Sequence, residues 1–66
     1  MDDHLEGKTG LITDRVPPGG TSMGEVMIAG QSYFALCVDP EAELAKGTRV
    51  VVVDHLPPRT VVVTPY

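Results

Sequence analysis

Gly24-Glu25-Val26-Met27-Ile28-Ala29-Gly30-Gln31-Ser32-Tyr33-Phe34-Ala35-Leu36-Cys37 is two short runs of β-forming residues joined at a glycine, and it reads as a β-hairpin. Side chains alternate along a strand. Val26, Ile28, Tyr33 and Ala35 therefore fall on one face, and Glu25, Met27, Phe34 and Leu36 on the other. With Gly30-Gln31 as the two loop residues, Ile28 stands opposite Tyr33 and Val26 opposite Ala35, and the glycine supplies the positive φ of a primed turn. A register slip of two residues leaves both faces as they are, because the side-chain period is two. Both faces carry apolar side chains. One fills a core, and the other is either covered by a neighbouring loop or left to meet a partner.

Outward from the hairpin, the flanking segments supply more strands. Residues 7–16 contain the β-formers Thr9, Ile12, Thr13 and Val16, broken by Gly10, and a glycine inside a strand points to a bulge or a bend. Pro17-Pro18-Gly19-Gly20-Thr21 is a loop. After Cys37 the character changes. Asp39 suits a helix N-cap, Pro40 the first helical position, and Gly47 a C-terminal stop, so residues 39–47 are expected to hold one or two helical turns or a 3₁₀ turn. Residues 48–54 contain Val50-Val51-Val52-Val53, too β-branched and too short for anything but a strand covered on both faces for part of its length. His55-Leu56-Pro57-Pro58-Arg59 turns the chain and leaves His55 exposed, and Thr60-Val61-Val62-Val63-Thr64 is a fifth strand. Residues 1–6, rich in acids and carrying His4, read as a flexible leader before a domain over residues 7–66.

Five short strands with a helical turn only between the third and fourth give an all-β class and the element order of an OB-fold-like barrel, with an SH3-like barrel as the alternative. Closure removes open sheet edges and places Val26, Ile28, Ala35, Val50, Val52, Val61 and Val63 in one interior.

The ordered set Gly7-Lys8-Thr9-Gly10, Asp14 to Pro18 with a following glycine, Gly24-Glu25-Val26-Met27-Ile28, Gly30, Tyr33, Ala35, Lys46-Gly47-Thr48-Arg49-Val50 and a β-branched strand ending at Pro65 resembles the C-terminal soluble domain of NfeD-like proteins. The resemblance covers nearly all of the chain after Glu6. It implies an OB-like barrel, normally joined through transmembrane helices to a larger membrane protein, on the cytoplasmic side of the membrane. The partners it implies are membrane-anchored proteins of the stomatin, prohibitin and flotillin type. Two positions depart from the pattern: Ala29-Gly30 stands where Asp-Gly is frequent, and Pro57-Pro58 where a glycine is common. Longer family members add a serine protease domain upstream, which this sequence does not supply, so protease activity does not carry over.

The residue chemistry narrows the function classes. Sixty-six residues make one small domain with a modest core and little room for a deep catalytic pocket. Ser22, Ser32, His4 and His55 lie in no nucleophile motif, so no enzyme activity is expected. His4, Cys37 and His55 are too scattered for a local metal-ligand spacing, and neither a metal nor a cofactor is expected. The single cysteine, Cys37, forms no intramolecular disulfide, and its parity with Tyr33 and Ala35 makes it a buried thiol. Nine acids against five bases give a net charge of −4, which repels phosphate backbones. A single-stranded nucleic-acid or oligosaccharide module is the alternative the barrel invites. For nucleic acid it requires Lys8, Arg15, Arg49 and Arg59 to gather on one face. No aliphatic run approaches the ~20 residues of a membrane helix, so this chain is not expected to insert directly. A protein-interaction module is the leading expectation. Its contact residues are Met27, Phe34 and Leu36, flanked by residues 17–22 and 54–59, and a second copy of the chain is among the possible partners.

Overall fold

The hairpin forms with its two faces as the alternation requires and with its register displaced by two residues. A computed structural model describes residues 5–20 and 22–66. In it, strands β2 (Gly24–Ile28) and β3 (Gln31–Leu36) pair antiparallel, with Ile28 opposite Gln31, Val26 opposite Tyr33 and Gly24 opposite Ala35. The loop is Ala29-Gly30 rather than Gly30-Gln31. Both residues have positive φ, 51° and 81°, the pair of left-handed conformations a type I′ turn needs. An alanine is disfavoured there because its Cβ crowds the backbone. Ala29→Asn is therefore expected to stabilise the barrel by about 0.5–1 kcal/mol and to raise the melting temperature by about 2–8 °C. An unchanged or lower melting temperature would show that the turn is not limiting.

Three more strands complete the barrel: β1 (Thr9–Asp14), β4 (Arg49–Leu56) and β5 (Thr60–Pro65). The order around the closed barrel is β1-β2-β3-β5-β4, with β3 and β5 parallel and all other neighbours antiparallel. This is the five-stranded OB-fold-like architecture. The interior expected from alternation is present: Val26, Ile28, Ala35, Val50, Val52, Val61 and Val63 are all buried. Tyr33 shares their parity and lies at the rim, half-buried against the same cluster. Cys37 is buried, as its parity requires.

Four local expectations are corrected. The helical turn lies not in residues 39–47 but before β2, as a 3₁₀ turn at Pro18–Gly20. Asp39 does begin a capping arrangement, since its carboxylate accepts a hydrogen bond from the Glu41 N–H at 2.9 Å. The helix cannot continue because its backbone groups bond elsewhere. Leu44 and Val16 exchange N–H···O bonds of 2.9 and 3.1 Å, the Gly47 N–H donates to the Ile12 carbonyl, and the Thr48 carbonyl accepts from Ile12. Burying Leu44 against the barrel thus overrides the local capping signals.

The irregularity in β1 falls between Ile12 and Asp14, not at Gly10. Gly10 is there for space. A Cβ on it would stand 2.6 Å from the Met27 carbonyl oxygen and 2.8 Å from Ile28 Cγ1. His55 is not an exposed turn residue. β4 runs on to Leu56, and a bulge between Val52 and Asp54 shifts the alternation, so Asp54 turns outward and His55 falls opposite the interior Val61. Its Nε2 is buried. Finally, Leu5 belongs to the core at 5% exposure, and Gly7 donates to the Val52 carbonyl at 2.8 Å, so packed structure reaches into the segment read as a leader. Residues 1–4 of that segment, and Thr21 of the following loop, lie outside the described residues.

Candidate functional site

A closed barrel hides its backbone, so recognition falls to the outward side chains and the loops. On the outside of β1, β2 and β3 the register lines up rows of residues. Arg49 of β4 lies opposite Leu11 of β1, Leu11 opposite Met27 of β2, and Met27 opposite Ser32 of β3. Two residues further along, Glu25 lies opposite Phe34, which pairs in turn with Thr60 of β5.

Of the three expected contact residues, Phe34 is 56% exposed and Met27 39% exposed, whereas Leu36 is half-buried. Leu36 differs because the Pro18–Gly20 turn packs beside it. A Cβ on Gly20 would touch Val38 Cγ1 at 3.5 Å and Leu36 Cδ2 at 3.9 Å. The turn is tied down by the Gly19 N–H donating to the Asp39 carbonyl at 3.1 Å. The hairpin's second face is thus partly covered at Leu36 and exposed at Met27 and Phe34.

The sequence reading missed Leu11. It is 48% exposed, and its place beside Met27 extends the apolar face onto β1. Alternation from the buried Ile12 would have indicated its outward direction, but not its partner across the sheet.

Two concavities border this face. A groove of ≈480 Å³ runs along β1, lined by Thr9, Gly10, Leu11, Thr13, Met27 and Arg49. A smaller cleft of ≈210 Å³ is formed by Glu25, Ser32, Tyr33, Phe34 and Arg59. In it the Arg59 guanidinium donates to the Ser32 carbonyl at 2.7 Å and lies 5.1 Å from the centroid of the Tyr33 ring, a cation–π arrangement. Glu25 accepts a 3.1 Å hydrogen bond from the Thr13 hydroxyl.

The basic residues do not form one strip. Arg49 and Arg59 border the hairpin face, Arg15 pairs with Glu43, and Lys8 precedes β1, its carbonyl bonded to the Val52 N–H. The residues considered for chemistry are likewise apart. Ser32 sits on the outer row with Met27, His55 stands opposite the interior Val61, and His4 lies outside the described residues. Among the described residues, no three His, Cys, Asp or Glu side chains are grouped to hold a metal ion. No helix among them is long and apolar enough to cross a membrane.

Comparison with known proteins gives a consistent picture. The soluble domain of the NfeD protein YuaF from Bacillus subtilis matches with a TM-score of 0.79 and 34% identity, covering 97% of this chain and 76% of that one. The soluble domain of a Corynebacterium glutamicum membrane protein implicated in regulation of membrane protease activity matches with a TM-score of 0.78 and 31% identity, over 92% of this chain and 90% of that one. The C-terminal domain of the stomatin operon partner protein 1510-C from Pyrococcus horikoshii shares the fold, with a TM-score of 0.75 at 21% identity over 94% and 88% of the two chains. A comparison with curated proteins finds no match. The NfeD C-terminal domain family model spans residues 9–64, from the first residue of β1 almost to the end of β5, and the chain belongs to that family.

Proposed function

We propose that this barrel is a non-catalytic docking module of a membrane-associated NfeD-like protein, held on the cytoplasmic side and binding a membrane-anchored partner of the stomatin, prohibitin or flotillin type. The observation that carries the reading is the exposure of Phe34 and Met27 on neighbouring strands of one barrel face. Large apolar side chains at such positions are commonly contact residues, and an aromatic one at the centre of an interface can dominate its affinity. The relation to a stomatin operon partner supports the class of partner, and the relation to soluble domains of membrane proteins supports the setting.

The test is Phe34→Asp. The variant should keep its thermal transition within a few degrees of the parent, because the side chain is largely in water. Its binding to a stomatin-type protein reconstituted in phospholipid vesicles should weaken about tenfold or more, the equivalent of ~1.4 kcal/mol or above. Equal binding by parent and variant, or no saturable binding by the parent, would refute the docking role of this face. Loss of the thermal transition would instead make Phe34 a core residue.

A further inference from the structure

The groove along β1 has a chemistry of its own within the docking face. Thr9 and Leu11 are alternate residues of β1 and Thr13 follows in its bulge, and all three line one track along the strand. Met27 forms one wall through its register with Leu11, and Arg49 forms the other. Arg49's sheet neighbours are Leu11 on β1 and, through the Tyr66 N–H bonded to its carbonyl at 3.0 Å, Tyr66 on the β5 side. Neither neighbour's side chain carries a carboxylate. Arg15, by contrast, is paired with Glu43. A chain with a net charge of −4 thus places two of its three arginines, Arg49 and Arg59, at the borders of its apolar face. The acid on the same face, Glu25, sits at the far end and is tied to the Thr13 hydroxyl. It would repel a second acid there, so a ligand's negative group is directed to the Arg49 wall.

We infer that this groove takes a short extended segment of a partner protein that presents an apolar side chain and, two residues away on the same face, a carboxylate. The apolar side chain packs between Leu11 and Met27. The carboxylate accepts hydrogen bonds from the Arg49 guanidinium, whose planar fork suits a two-oxygen acceptor. An extended segment is the matching shape because its own side chains alternate with the period of the track. The inference rests on the docking reading above and adds to it the chemical class of the partner sequence. Charge also separates it from a nucleic-acid ligand, whose phosphates would meet Glu25 and a chain of net charge −4.

The test uses the isotope-labelled barrel and three blocked pentapeptides with the central sequences Leu-Ser-Asp, Leu-Ser-Asn and Leu-Ser-Lys, titrated at low salt while amide shifts are followed. The aspartate peptide is expected to shift the amides of Leu11, Thr13, Met27 and Arg49 saturably, about threefold to tenfold more tightly than the asparagine peptide, with the lysine peptide weakest. Arg49→Glu should invert the order of the aspartate and lysine peptides while leaving the thermal transition in place, since the side chain is exposed. If all three peptides bind alike, Arg49→Glu changes nothing and Met27→Asp abolishes binding, the carboxylate preference is wrong and the docking face stands. If no peptide shifts these amides, the groove is not a peptide site, and the Phe34→Asp experiment with vesicle-borne partner judges the docking reading separately. Saturable binding of oligothymidine at this face would overturn the inference in favour of a nucleic acid.

Discussion

Gly24→Ala is expected to abolish cooperative unfolding. Gly24 is buried on β2 opposite Ala35, where β1 leaves the sheet to carry Val16 toward Leu44. A Cβ at this position would lie 2.4 Å from the Arg15 carbonyl oxygen, 2.5 Å from that of Asp14 and 2.7 Å from the Arg15 carbonyl carbon. All three atoms are backbone, so no side-chain rotation relieves the contact. The β1 end must move outward, and the Val16 anchor and the Thr13–Glu25 hydrogen bond move with it. A domain of this size has a total stability of about 3–10 kcal/mol, and a forced backbone displacement in its core consumes about 3 kcal/mol or more. Circular dichroism on heating should show no sigmoidal transition for the variant. Gly30→Ala is the informative contrast. Gly30 has φ 81° with nothing within 4 Å of the added Cβ, so that variant should lose only about 1 kcal/mol and melt cooperatively. Similar behaviour of the two variants would mean that conformation, not space, is what Gly24 provides.

Leu44→Ala is expected to be the most damaging large-to-small change outside the strands. Leu44 is 1% exposed, and its backbone exchanges two hydrogen bonds with Val16. Truncation removes the apolar contact that fixes residues 39–48 on the barrel, and the cavity lies where the flanking segment has no other buried large side chain. The expected loss is about 3 kcal/mol, with a fall in melting temperature of about 12–24 °C. Hydrogen exchange should then show the Val16, Leu44 and Gly47 amides opening before those of β2 and β3. Uniform loss of protection would instead make Leu44 part of a single unit with the hairpin.

These two positions also mark what was legible in the sequence. The hairpin faces were legible because the period of two survives a register slip of two, so Val26, Ile28 and Ala35 point inward whichever turn residues are chosen. The valine-rich strands were legible for the same reason up to Val52. Beyond it the bulge changes the parity, and His55 moves from an exposed turn to a half-buried place on the inward-facing row. Long-range backbone pairing was not legible. Asp39, Pro40 and Gly47 carry genuine helix-end signals, but the competing bonds from Ile12 and Val16 lie about thirty residues away in sequence and leave no local trace. The need for Gly24 is hidden for a similar reason, since it depends on where Asp14 and Arg15 pass. At the candidate site, alternation placed Met27 and Phe34 on the face opposite the interior and left open whether a loop covers them. The cover over Leu36 and the company of Leu11 and Arg49 required the three-dimensional register.

The order β1-β2-β3-β5-β4 has a consequence for how the protein is made. β5 lies between β3 and β4 in the barrel, and it follows both in sequence. Until Thr60–Pro65 has emerged from the ribosome, β3 and β4 each present an unpaired edge, and Val50 and Val52 lack the Val61 and Val63 side chains that complete the interior. Closure is therefore a post-emergence event for the whole barrel. The nascent chain exposes two sticky strand borders until β5 has emerged, and in this interval the chain is open to capture by chaperones or by neighbouring nascent chains.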